Sequence, residues 1–111
     1  MGEMRLFGLK SCDTSRAALR DLRAVGHDPL VIDIRDDGVT DKDRTAMLSA
    51  LGPGLVNRAS TTWRGLSEAD RNRDVADLLT AFPTLMKRPI IESDGEWSMG
   101  WGKDTQQRLL G

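Results

Sequence analysis

Residues 10–16 read Lys-Ser-Cys-Asp-Thr-Ser-Arg and hold the sole cysteine of a 111-residue chain. A thiol is a nucleophile as its thiolate, a form favoured by cations and by the free N–H groups of a helix N-terminus. Arg16, four residues beyond Cys12, can share its helical face and bring a positive charge or a donor to the sulfur. Asp13 suits the helix dipole but raises the cost of a neighbouring anion. Ser15 stands where a Cys-x-x-Cys oxidoreductase carries its second thiol. A hydroxyl can hydrogen-bond a thiolate but cannot resolve a mixed disulfide. A redox cycle at Cys12 therefore takes its second thiol from outside, with glutathione or a glutaredoxin-like protein as the natural donor. The competing reading is a small buried hydrophobe, the state of most isolated cysteines; only the position in the fold separates the two.

Other reactive patterns are missing. A phosphatase-type loop needs an arginine six positions after its cysteine, and that position is Ala18. The glycine spacings of a phosphate-binding loop or a dinucleotide fingerprint are absent. A cysteine protease needs a histidine base, whereas His27 reads as an exposed turn residue. One cysteine forms no internal disulfide, and Cys12 with His27 falls short of a four-ligand zinc site.

The elements that must position Cys12 follow from pattern. Residues 4–9 are mostly apolar and end in a turn-like Gly-Leu-Lys-Ser, which predicts a buried strand. From Thr14 to Val25, Ala18, Leu19, Leu22 and Val25 form one stripe opposite Arg16, Arg20 and Arg23, which predicts a helix closed by Gly26. Leu30 to Ile34 is rich in β-branched residues and predicts a second core strand, completing a parallel βαβ unit. Thr40 with Asp43 and then Ser67 open capping patterns, and Val75, Leu78, Leu79 and Phe82 share a face, so the middle section, about 40–83, reads as helical. Asp94-Gly95 between two alternating segments predicts a hairpin, and residues 103–110 a closing helix. This order is that of an α/β, thioredoxin-like (glutaredoxin-like) domain: a mixed four-stranded sheet with a helical insertion between its βαβ and ββα halves.

The chain length fits one domain, 1–111. Charged residues at 30% and hydrophobic ones at 39% are those of a globular chain, not a disordered one. A formal net charge of −1 gives no reason to expect direct nucleic-acid binding. No apolar run approaches the ~20 residues of a membrane span, and the start has no secretory pattern, so a cytoplasmic location is expected.

Three stretches, "LKSCDTSRAAL", "NRASTTWRGL" and "LMKRPIIESDGEW", together resemble the ArsC family, the glutaredoxin-coupled arsenate reductases and their relatives, which include Spx regulators and YffB-type proteins. The resemblance implies that Cys12 is the nucleophile and that Pro89 is a cis-proline facing it. It also implies oxyanion-binding arginines at Arg88 and Arg58, guanidinium being suited to paired bonds with oxyanions. Where a third arginine is expected the chain reads Gly100-Trp101-Gly102-Lys103. That departure, with "CDT" and "TTWR", looks more like the YffB branch than arsenate reduction proper. The implied activity is a reductase with no tightly bound cofactor, glutathione as co-substrate, and a disulfide or small oxyanion as substrate. Cys12, Arg16, Arg58 and Arg88 are then the catalytic set, and Lys10, Ser15, Arg64, Pro89 and Lys103 the substrate-binding set, with no metal ligand. Glutaredoxin is the alternative reductant and arsenate the alternative substrate. The Spx resemblance adds RNA polymerase as a possible partner, but Ser15 removes the Cys-x-x-Cys switch those regulators usually carry.

Overall fold

The structure, a computed structural model, describes residues 3–111. Its elements in chain order are β1 (Met4–Gly8), α1 (Asp13–Ala24), β2 (Leu30–Asp33), α2 (Asp41–Leu51), α3 (Thr61–Arg64), α4 (Glu68–Arg71), α5 (Val75–Ala81), β3 (Ile90–Ser93), β4 (Glu96–Met99) and α6 (Lys103–Leu110). The four strands make one sheet in the order β2-β1-β3-β4, with β1 and β2 parallel and the other pairs antiparallel. This is the thioredoxin-like arrangement, with α2 to α5 inserted between its two halves.

Local chemistry explains most boundaries. The Thr40, Ser60 and Ser67 hydroxyls each accept the backbone N–H three residues on, from Asp43, Trp63 and Asp70, each at 3.1 Å, and so start α2, α3 and α4. Asp94 and Gly95 both have positive φ, 53° and 81°, as a two-residue hairpin turn requires, and pair Ser93 with Glu96.

Two expectations are corrected. β2 is an edge strand, not a core strand: Leu30 and Val31 are 63% and 40% exposed. Its β-branched residues signal a strand, but strand order decides whether a neighbour covers it. Val25 lies past the end of α1, as its C-cap, and is 51% exposed rather than part of the buried stripe. The four-residue α3 is too short to show a helical period in the sequence.

The core has two parts, because successive residues of a strand face opposite sides of the sheet. Met4, Leu6 and Ile91 pack with Ala18 and Leu22 of α1, and Leu109 and Leu110 of α6 lie against them. Phe7 and Ile90 face the insertion and meet Met47, Leu55, Leu78, Leu79, Leu85 and Met86. Arg5 on β1 bolts α2 to that second side. Its guanidinium donates two bonds to Asp43, at 2.8 and 2.9 Å, and one to Glu92 at 2.7 Å, and it lies over the rings of Phe7 and Trp97.

Candidate active site

Cys12 is the N-cap of α1, half-buried, with extended backbone angles. Its own N–H donates to the Leu9 carbonyl at 3.0 Å, and its carbonyl accepts the Arg16 N–H at 3.0 Å. The loop therefore turns tightly from β1 into the helix and leaves the sulfur at the positive end of the helix dipole. Burial pushes the thiol up. The Ser15 hydroxyl, the Ser15 backbone N–H and the Arg88 guanidinium outweigh that effect, and the thiol lies below its ordinary range.

Ser15 is buried, 4% exposed, and its hydroxyl oxygen also accepts the Leu9 N–H at 3.4 Å. A Cβ at Gly8 would stand 2.6 Å from that oxygen, so β1 needs a glycine for the serine to fit under the cysteine loop.

Arg88 precedes Pro89, and the peptide bond between them is cis. The Arg88 side chain folds back along the chain, where its Nη1 donates to the Thr84 carbonyl at 2.6 Å and to that of Met86 at 3.4 Å. Its Nε is buried without a hydrogen-bond partner. The segment after α2 pairs with the segment after α5 around the Val56–Met86 bridge, through Asn57 N–H to Leu85 O at 2.7 Å and Lys87 N–H to Leu55 O at 2.8 Å. Arg88 stands just before β3, whose Ile90 pairs with Phe7 of β1, and so lies at the end of β1 from which the cysteine loop leaves.

The other sequence candidates make contacts of their own. Arg16 is exposed and closes onto the Asp13 carboxylate, so the principal cation at the sulfur is Arg88 and not Arg16. Helical spacing puts Arg16 on the cysteine's side of α1, and the local acid competes for its guanidinium. Lys10 is exposed and reaches Asp36 at 3.7 Å. Arg64 donates to the Ala59 carbonyl at 2.9 Å, within its own segment. Arg58 lies over the Trp63 ring at 5.2 Å, with Arg71 at 5.8 Å from the same ring. Lys103 opens α6 and is exposed.

Two contributors escaped the sequence reading. Thr84 matters through its carbonyl, which no side-chain pattern announces. Asp33 is a buried carboxylate, 6% exposed, that accepts backbone N–H groups from Arg35 at 2.9 Å, Asp36 at 2.7 Å and Lys10 at 3.3 Å. Its signal was visible: an acidic residue inside the apolar run Leu30-Val31-Ile32-Asp33-Ile34.

A βαβ half joined to a ββα half, with a cysteine at the N-cap of the first helix and a cis-proline next to Arg88, defines a thioredoxin-like fold. Within that class the chain belongs to the ArsC family, whose match runs over residues 7–109. An uncharacterized protein of Haemophilus influenzae is 36% identical over 107 residues, 92% of this chain and 94% of that one. The solved structure of the YFFB (PA3664) protein superposes with a TM-score of 0.89 at 27% identity, over 97% of this chain and 99% of that one. The ArsC-related protein of Brucella melitensis is 31% identical with a TM-score of 0.74, over 96% and 92%. The arsenate reductase of Vibrio cholerae, 19% identical with a TM-score of 0.79 over 98% of each chain, shares the fold. Among the described residues no helix is long and apolar enough to cross a membrane.

Proposed function

We propose that the protein is a glutathione-dependent thiol oxidoreductase working through Cys12 alone. One observation carries this reading: Cys12 caps the start of α1 and Ser15, three residues on, occupies the place of a resolving thiol in a chain with no other cysteine, and Ser15 and Arg88 favour the thiolate.

The chemistry is thiol–disulfide exchange. The Cys12 thiolate attacks one sulfur of a substrate disulfide, joining that half as a mixed disulfide and expelling the other half as a thiolate, which takes a proton from water. One glutathione thiolate displaces the bound half as a thiol, leaving Cys12 disulfide-bonded to glutathione. A second glutathione attacks that bond, frees Cys12 as its thiolate and leaves as glutathione disulfide. The Arg88 guanidinium stabilises the thiolate before attack and when it is the leaving group. Arg58, with Arg88 and Lys103, supplies cations for the carboxylates of glutathione. Reliance on glutathione implies a reducing compartment, the cytoplasm.

The test combines two measurements. Iodoacetamide alkylation of Cys12 across pH should give an apparent pKa clearly below the ~8.5 of a free cysteine. Glutathione should drive reduction of a small disulfide, with no turnover above background for Cys12→Ser. An unperturbed thiol, or equal turnover by the serine variant, overturns the proposal. With arsenate in place of the disulfide the same assay should give little turnover, because Gly100-Trp101-Gly102-Lys103 lacks the third arginine.

A further inference from the structure

The loop between β1 and α1 is thinly packed on the side facing β2. A crevice of about 230 Å3, lined by Leu6, Gly8, Ser15, Leu19 and Val31 among others, lies along one side of this junction. A second, of about 170 Å3, opens between Ser11 and the turn at Arg35 and Asp36. Leu9, Lys10 and Asp33 line both. Between these crevices the loop is tied to the end of β2 by two polar contacts. The Asp33 carboxylate accepts the Lys10 N–H at 3.3 Å, and the exposed Lys10 ammonium stands 3.7 Å from Asp36. Only the first involves a buried group.

The Asp33 carboxylate is itself rigidly set. Its other oxygen takes the N–H groups of Arg35 and Asp36, its backbone N–H donates to the Asp37 carboxylate at 2.8 Å, and its carbonyl accepts Asp37 and Gly38. The turn after β2 is thus a fixed anchor, and one carboxylate oxygen extends from it to the cysteine loop. Two residues beyond Lys10 is Cys12, whose N–H is held by Leu9.

We propose that Asp33 is a positioning residue for Cys12: by holding the Lys10 N–H it fixes the loop that keeps the sulfur within reach of Ser15 and Arg88. It touches neither substrate nor sulfur. The proposal rests on Cys12 being the activated nucleophile, as argued above.

Asp33→Asn separates positioning from charge. The amide oxygen can still accept from Arg35 and Asp36, but its NH2 then faces the Lys10 N–H, donor against donor. If the amide turns the other way, it loses the two turn contacts instead. The charged groups around position 33 are Lys10, Arg35, Asp36 and Asp37, and those around the thiol are Arg88 and the paired Asp13 and Arg16. Removing one negative charge from this neighbourhood, with nothing moved, favours the thiolate and lowers the thiol pKa. Loosening the loop withdraws the sulfur from Ser15 and Arg88 and raises it.

The experiment is iodoacetamide alkylation of the wild-type and Asp33→Asn chains across pH, with thermal melting followed by circular dichroism. The expected result is a cooperative melt for the variant, an apparent pKa moved up towards ~8.5, and alkylation at pH 7 slowed about threefold or more. An apparent pKa that is unchanged or lower overturns the positioning role and leaves the oxidoreductase reading intact. A wild-type thiol already near ~8.5 overturns both. Should Asp33→Asn fail to fold, amide exchange in the wild type decides. A protected Lys10 N–H supports the strut, and exchange as fast as in an unstructured peptide overturns it.

Discussion

The groups that lower the Cys12 thiol pKa differ in how they are held. Ser15 comes with the helix, one turn from the cysteine, and stays in place as long as α1 forms. Arg88 comes from the far side of the insertion and is held by the Thr84 and Met86 carbonyls. Its planar fork can point one nitrogen at those carbonyls while the rest of the guanidinium faces the sulfur, which a lysine ammonium cannot reproduce. Arg88→Lys should therefore raise the apparent thiol pKa and slow alkylation at pH 7, although charge is conserved. Equal rates for variant and wild type would show that charge alone suffices. Because the native thiol lies below its ordinary range, reactivity should rise with pH through that lowered pKa and level off at a lower pH than for a free cysteine.

The insertion reaches the site through α2 and the paired segments that follow it, and Arg5 determines how α2 sits on the sheet. The Asp43 carboxyl lies below the usual carboxylate range, first because Arg5 hydrogen-bonds it, an effect that outweighs burial. A folded-state pKa below the unfolded value means that the contact contributes fully above about pH 4. Its contribution is lost as pH falls from there through the lowered value. Asp43→Asn should thus destabilise the protein by about 1–3 kcal/mol near neutral pH and flatten the acid limb of the stability curve. Urea titrations at pH 3 and pH 7 check this. A loss of equal size at both values would contradict an origin in the ionised pair. Of these elements, α1, α2 and the hairpin were legible from periodicity, caps and turn chemistry. Arg5 was not, since one arginine in a strand gives no hint of an acidic partner on a distant helix.

Both sides of the sheet must be covered for the site to hold together, and the insertion covers the larger of the two buried clusters. Leu79, 1% exposed on α5, packs in that cluster with Met47, Leu55 and Leu85. Leu79→Ala should cost about 2–5 kcal/mol and lower the melting temperature by roughly 10 °C or more. Since the same packing supports the Val56–Met86 bridge, Arg88 should lose its fixed place and the thiol pKa should rise with the destabilisation. Melting and alkylation of one sample test both. Much of this architecture is written in local signals: alternating apolar residues, hydroxyl caps, an Asp-Gly turn, and a cysteine just before a helix. These act within a few residues, so element order, the fold class and the place of Cys12 follow from the chain alone. Which cation meets the sulfur does not. Arg16 is near in sequence but taken by Asp13, while Arg88 is remote and delivered by strand pairing and a cis-proline turn. Asp33 likewise meets Lys10 only because β1 and β2 lie side by side. Charge and hydrogen bonding act through space, and distances between remote segments are fixed by packing.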